Sequence, residues 1–126
     1  MVRITAIYDF ILVTPFSAPP FFHWFKGILE SLNVSLGGQD WPTFLPLHVL
    51  FVSMFGVLGL TWSVARLIAP TLLLGRIDGL ARLAVVGLFI SSSLVVNVPL
   101  LYWIGASELI IGLYLVCVRV APSRPT

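Results

Sequence analysis

Charged side chains are scarce in this chain. Only 10% of its 126 residues are charged, whereas 59% are hydrophobic and the mean hydropathy is +1.06. A chain of this size cannot bury so many apolar side chains in one soluble core. The composition therefore predicts an integral membrane protein, and at ~20 residues per spanning helix there is room for about four spans and no soluble domain.

Cysteine is nearly absent as well, since Cys117 is the only one. One cysteine forms neither an intrachain disulfide nor a cysteine-based metal site. The sequence also lacks zinc, iron and haem ligand spacings, a Gly-rich phosphate loop, a nucleophile elbow and an HExxH motif. We therefore expect no metal site, and no cofactor is identified. The basic residues are scattered rather than clustered, which argues against a nucleic acid partner.

Long apolar runs are what the chain has in abundance. They predict an all-α fold, an integral membrane four-helix bundle in a single transmembrane domain, residues 1–126, with an interfacial amphipathic helix between spans 1 and 2. The expected spans are residues 4–18, 45–69, 78–97 and 103–120, and the interfacial helix covers residues 21–36. Its polar positions 23, 26, 30 and 33 are expected to form a wet face. Asp9 and Pro19 argue against a cleaved signal peptide at the start of the chain.

The distribution of basic residues predicts the orientation. In a four-span arrangement six of the seven basic residues fall on one side and only Lys26 on the other; the six are Arg3, Arg66, Arg76, Arg82, Arg119 and Arg124. By the positive-inside rule both termini are expected in the cytoplasm.

Four charged residues within the apolar runs are expected to form a network. Asp9 lies six residues after Arg3, and Arg82 lies six after Arg76, so both are ~9 Å in from the cytoplasmic side. Arg66 and Asp78 lie nearer that surface. Buried ions pair whatever their function, so both a functional and a purely structural network fit the sequence.

Glu108 is expected to lie apart from these residues. Its separation from Arg119 places it ~16 Å from the cytoplasmic face, where no basic residue matches its depth. Because desolvation disfavours a charged carboxyl, we expect Glu108 to be neutral and held by Ser92, Ser93 or a tyrosine. A hydrogen-bonding strut, a proton carrier and a ligand contact remain alternatives.

Further polar candidates lie along the second and third spans. His48, Trp62 and Arg66 share one helical face, and His48 and Asn97 are expected to rim a cavity on the outer side of Glu108. The predicted polar network or ligand site consists of Asp9, His48, Trp62, Arg66, Asp78, Arg82, Asn97 and Glu108.

Three short features resemble the DoxX-like small bacterial membrane proteins. They are an acid in the first span, Arg76-Ile77-Asp78 through Arg82 at the entrance to the third helix, and Glu108 through Gly112 in the fourth. The resemblance is architectural and covers most of the chain. It implies a four-helix bundle in a bacterial inner membrane, sometimes partnered with redox or respiratory components, and it transfers no catalytic residues.

Three functions stay open at this stage. The first is non-enzymatic: binding of a lipophilic small molecule such as a quinone or lipid, or service as an accessory subunit in a homo-oligomer or larger membrane complex. The second is a cofactorless acid–base isomerase or cyclase, with Glu108 as the acid and Asp9 or His48 as the other group. The third is a small proton-coupled exporter, against which the strong charge bias argues. The lack of a recognised catalytic set favours the first.

Overall fold

The computed structural model describes residues 1–93 and 95–117, and within these ranges the chain is helical without a β-strand. Helix α1 spans Val2–Val13 and continues as a 3-10 turn over Thr14–Ser17. The remaining helices are α2, Pro19–Ser35; α3, Pro46–Ile68; α4, Leu72–Ser93; and α5, Leu100–Cys117. The all-helical prediction is confirmed for these residues.

Prolines and one hydroxyl set where the helices begin. Pro19 opens α2 and Pro46 opens α3, because the first turn of a helix does not need the N–H that proline lacks. Helix α4 begins at Leu72 rather than at residue 78, since the Thr71 hydroxyl accepts the N–H of Leu74 at 3.2 Å and caps the earlier turn. It ends at Ser93 rather than at residue 97. Residues 118–120 of the predicted fourth span lie outside the described residues.

The interior of the described chain is more polar than its surface. The buried apolar side chains are few: Ala6, Phe22, Val49, Val86, Leu100 and Leu115. The buried polar ones are Thr5, Asn33, Ser53, Ser63, Arg66, Asp78, Arg82 and Glu108, and the largest fully buried side chain is Arg66. Large apolar side chains lie instead on the outside of every helix. This is the reverse of a soluble protein and fits a molecule whose solvent is hydrocarbon.

Glycines allow the closest helix contacts. A Cβ atom on Gly79 of α4 would lie 2.8 Å from the carbonyl oxygen of Gly112 on α5, so the two backbones touch here. Gly56 of α3 meets the backbone of Phe16 in the 3-10 turn in the same way. Of the two glycines that flank Glu108, Gly112 takes part in a close contact, whereas a Cβ built on Gly105 would lie at an ordinary 3.7 Å from Cδ2 of Phe89.

The predicted wet face of α2 is only partly correct. Lys26 and Glu30 form an ion pair of 2.7 Å and are half-buried, while His23 is exposed. Asn33, however, is completely buried. The exposed stripe of α2 is apolar and consists of Phe21, Trp24, Ile28 and Leu32. The helix therefore turns much of its polar face toward the protein.

Within the described residues two helices, α3 and α5, are long and apolar enough to cross a membrane by length and composition. The segment Val2–Ser17 and α2 would together make a third span, although they are bent by 109° with respect to each other. The chain therefore has two or three candidate spans on this criterion. Helix α4, with Arg76, Asp78 and Arg82, is not among them.

Candidate functional site

Five ionisable side chains from four helices meet inside the protein, and we name them the charge cluster. Asp9 comes from α1, Arg66 from α3, Asp78 and Arg82 from α4, and Glu108 from α5. Asp78 and Arg82 lie four residues apart and so share one face of α4. The cluster is the one place where α1, α3, α4 and α5 are joined through charged groups in the described chain.

Arg82 contacts all three acids of the charge cluster. Its Nε donates to Oδ2 of Asp78 at 3.0 Å, its Nη1 donates to Oε2 of Glu108 at 2.5 Å, and its Nη2 donates to Oδ2 of Asp9. The planar fork of a guanidinium suits this arrangement because its five donors point in fixed, separate directions. A single side chain thus connects α1, α4 and α5.

Arg66 completes the network from α3. Its Nη1 donates to Oδ2 of Asp78 at 2.6 Å and its Nη2 donates to Oδ2 of Asp9. Trp62, one turn earlier, donates from Nε1 to Oδ1 of Asp78 at 2.9 Å. The guanidinium carbon of Arg66 also lies 5.8 Å from the centre of the Trp62 ring, within the range of a cation–π interaction.

Burial makes these contacts energetically important. The Arg66 side chain is 0% exposed, and those of Arg82 and Asp78 are each 6% exposed. A buried pair is not in itself strongly stabilising, but removal of one partner typically costs ~3–5 kcal/mol because the other charge stays buried. The charge cluster therefore fixes the relative positions of four helices.

The structure brings together six of the predicted residues: Asp9, Trp62, Arg66, Asp78, Arg82 and Glu108. The expectation that Glu108 lacks a basic partner is wrong, because Arg82 binds it directly. Sequence spacing gives the depth of the backbone only, whereas an arginine side chain extends several ångströms from its own backbone. The expected Ser92, Ser93 or tyrosine contacts are replaced by this ion pair, since Ser93 donates to the Phe89 carbonyl instead.

His48 and Asn97 lie elsewhere. His48 is exposed at the first turn of α3, where its Nδ1 accepts the N–H of Leu45 at 3.3 Å. Asn97 is also exposed, and its Nδ2 donates to the Gly37 carbonyl at 3.2 Å. Neither residue contacts the charge cluster, so the cavity that they were expected to rim above Glu108 is not formed by them.

Asn33 was expected on the wet face of the interfacial helix, and its role as a buried hydrogen-bonding residue was not predicted. Its Oδ1 accepts the N–H of Leu100 at 3.3 Å, and its Nδ2 donates to the carbonyl of Gln39 at 2.9 Å. It therefore satisfies the first turn of α5 and anchors the loop that follows α2. The only available signal was an asparagine near the end of an amphipathic helix just before Gly37-Gly38, a pattern equally typical of an exposed helix end.

A second site is a cleft of about 530 Å³ between the start of α2, the following loop and the start of α3, which we name the α2–α3 cleft. It is lined by Pro19, His23, Phe44, Pro46, Val49, Leu50 and Ser53. The Ser53 hydroxyl is buried and has no hydrogen-bond partner among the described residues. A buried polar group normally has such a partner. The α2–α3 cleft thus combines mainly apolar walls with two polar side chains, those of His23 and Ser53.

Metal binding has no geometric support in residues 1–93 and 95–117, where no group of three His, Cys, Asp or Glu side chains is placed to hold an ion. The acids of the charge cluster are bound by arginines instead.

Comparison of the chain with protein-family models, curated proteins and solved structures finds no match.

Proposed function

We propose that this chain is a multi-pass protein of a bacterial inner membrane, in which α1, α3, α4 and α5 cross the bilayer and α2 lies at the outer interface. The apolar outer surface supports this arrangement, as does the apolar stripe on α2 with Trp24 at its centre. The architecture is also the one that the DoxX-like resemblance implies, and that kinship stays a prediction.

Helix α4 fits the proposal despite its charges. Asp78 and Arg82 are buried in the charge cluster, so neither faces lipid. Only Arg76 is exposed, and it lies in the first turns of the helix, where a long side chain reaches the membrane surface. A helix whose charges are neutralised in this way can span a bilayer even though its composition alone argues against it.

We further propose that the protein binds a lipophilic small molecule, a quinone or a lipid, in the α2–α3 cleft. The unpartnered Ser53 hydroxyl beneath a mainly apolar cleft, with His23 as the second polar residue of its lining, is the observation that carries this proposal. The volume of about 530 Å³ lies within the usual range of small-molecule sites, which combine apolar walls with a few polar groups. A quinone or ester carbonyl would accept a hydrogen bond from the Ser53 hydroxyl after that side chain rotates toward the cleft, and His23 would contact the polar end of the molecule.

The α2–α3 cleft suits such a ligand better than the charge cluster does. The arginine and carboxylate groups of the cluster already bind one another, and a ligand would have to break these buried contacts. The isomerase and exporter alternatives stay predictions. Both would need Glu108 or Asp9 to act on a substrate while Arg82 holds them.

Ligand binding can be tested on the full chain in lipid nanodiscs. Native mass spectrometry identifies any quinone or lipid that accompanies the protein, and titration with decylubiquinone measures affinity. Ser53→Ala should weaken binding by about fivefold, the value of one hydrogen bond of ~1 kcal/mol. Leu50→Trp, which fills the α2–α3 cleft with a larger ring, should weaken it further.

Ser63→Ala is the matched control, because Ser63 lies on the same helix and its hydroxyl donates to the Gly59 carbonyl at 2.8 Å. Binding by this variant should equal that of the wild type. The ligand proposal is wrong if no quinone or lipid is retained, or if Ser53→Ala and Leu50→Trp bind decylubiquinone as tightly as Ser63→Ala does.

A further inference from the structure

The charge cluster contains unequal numbers of acids and bases. Asp9, Asp78 and Glu108 contribute three carboxyls, whereas Arg66 and Arg82 contribute two guanidiniums. If every group were ionised, the cluster would carry a net charge of −1. An uncompensated charge in a low-dielectric interior is costly, and a buried group commonly changes its protonation instead.

No other charged group of the described residues compensates this excess. The groups that face the cluster are Asp9 from α1, Arg66 with the neutral Trp62 from α3, Asp78 and Arg82 from α4, and Glu108 from α5. Arg76 of α4 is exposed and forms no ion pair with them in residues 1–93 and 95–117. Lys26 is paired with Glu30 on α2.

The three acids receive different numbers of hydrogen bonds. Asp78 accepts from Arg66, Arg82 and Trp62 and uses both oxygens. Asp9 accepts from both arginines. Glu108 accepts from Arg82 alone, through Oε2, and its Oε1 has no donor among the described residues. Because donors favour the ionised form of a carboxyl, Glu108 is the acid whose ionised form is least supported.

We propose that the charge cluster is a binding site for one exchangeable proton and that Glu108 carries this proton on Oε1 at neutral pH. Protonation converts the Glu108 carboxylate to a carboxylic acid and brings the cluster to zero net charge. Oε2 still accepts from Arg82, so the contacts between helices are kept. Release of the proton to water restores the excess negative charge. This inference is independent of the ligand proposed for the α2–α3 cleft.

Infrared difference spectroscopy of the wild-type protein in nanodiscs detects the proton directly. A carboxylic-acid carbonyl band should be present at pH 7, disappear in Glu108→Gln and persist in Glu30→Gln. Glu30 is the matched control because its hydrogen bond with Lys26 lowers the pKa of its carboxyl, which is therefore ionised at pH 7. The proposal is overturned if the wild type has no such band, or if the band survives in Glu108→Gln.

The pH dependence of unfolding provides a second, independent readout. An unfolded glutamate loses its proton near pH ~4.3, whereas folded Glu108 keeps it to neutral pH. Between these values the folded state binds one more proton than the unfolded state, so its stability falls as pH rises. The unfolding equilibrium constant of the wild type should rise by about tenfold per pH unit relative to that of Glu108→Gln. The proposal is overturned if the ratio of the wild-type unfolding equilibrium constant to that of Glu108→Gln stays constant or falls as pH rises.

Discussion

Asp78 shows how much one side chain contributes to this protein. It accepts hydrogen bonds from Trp62, Arg66 and Arg82, and it thereby joins α4 to two residues of α3. Its side chain is only 6% exposed, so water cannot replace a lost contact. The two arginines depend on it for orientation toward the remaining acids.

Asp78→Asn should destabilise the protein by about 3 kcal/mol. If the amide oxygen keeps the Trp62 contact, the amide NH₂ must face the Arg66 and Arg82 donors at hydrogen-bond distance, where two donors repel. Equilibrium unfolding in detergent micelles measures the change. Glu30→Gln is the comparison, because its half-buried pair with Lys26 is screened by solvent and should contribute much less to stability. Equal stability of the two variants would contradict this role of Asp78.

Most residues of the charge cluster could be predicted from the sequence, because their positions within apolar runs and along each helix indicate burial and shared faces. Ionisable residues in apolar runs must find partners, and helical spacing puts Asp78 with Arg82 and Trp62 with Arg66 on common faces. The Arg82 to Glu108 pair was missed because sequence spacing measures backbone depth and ignores the reach of the side chain. The α2–α3 cleft was not predictable, since it depends on the 109° angle between Val2–Ser17 and α2, which places the start of α2 beside α3.

At the level of helices, the close packing of α4 against α5 depends on small residues. Gly79 and Gly112 let the two backbones touch, and the contact lies next to Arg82, whose Cβ is 3.2 Å from a Cβ built on Gly112. Close approach of the helices is therefore coupled to the pairing of Arg82 with Glu108. Glycine is unfavourable within a helix by ~1 kcal/mol relative to alanine, so its presence at a contact reflects packing.

Gly79→Ala should destabilise the protein by ~1–3 kcal/mol, because the added methyl group would meet the Gly112 carbonyl and push α4 from α5. Gly87→Ala on the same helix is the control, since a Cβ there meets nothing within 4 Å. It should be neutral or stabilising by up to ~1 kcal/mol. Thermal unfolding of both variants in the same detergent tests the pair, and a loss in Gly87→Ala as large as that in Gly79→Ala would refute the packing argument.

For the whole molecule, the arrangement of polar and apolar groups follows from the solvent. An all-helical fold and membrane-compatible helices could be predicted from the composition and the long apolar runs, because so few charged residues cannot keep such an apolar chain soluble. The number of spans could not be settled in this way. Helix α4 has to be judged together with its partners, and α1 is extended by a 3-10 turn before the sharp bend into α2.

Reporter insertions test the proposed topology. Alkaline phosphatase inserted after Asp40, in the exposed loop between α2 and α3, should be active because this loop is proposed to lie outside the cytoplasm. The same enzyme fused after Thr126 should be inactive, and a fluorescent protein fused there should be bright. Activity only in the fusion after Thr126 would indicate the opposite orientation. Activity at both positions would indicate that α3, α4 and α5 contribute one span fewer than proposed.

The order of the charge cluster along the chain has a consequence for biogenesis. Asp9 leaves the ribosome 57 residues before Arg66 and 73 before Arg82. If α1 spans the bilayer as proposed, Asp9 has neither of its arginine partners when this helix is first synthesised, and an unpaired carboxylate within hydrocarbon is costly. In the proposed arrangement, stable insertion of α1 therefore has to await synthesis of Arg66 and Arg82.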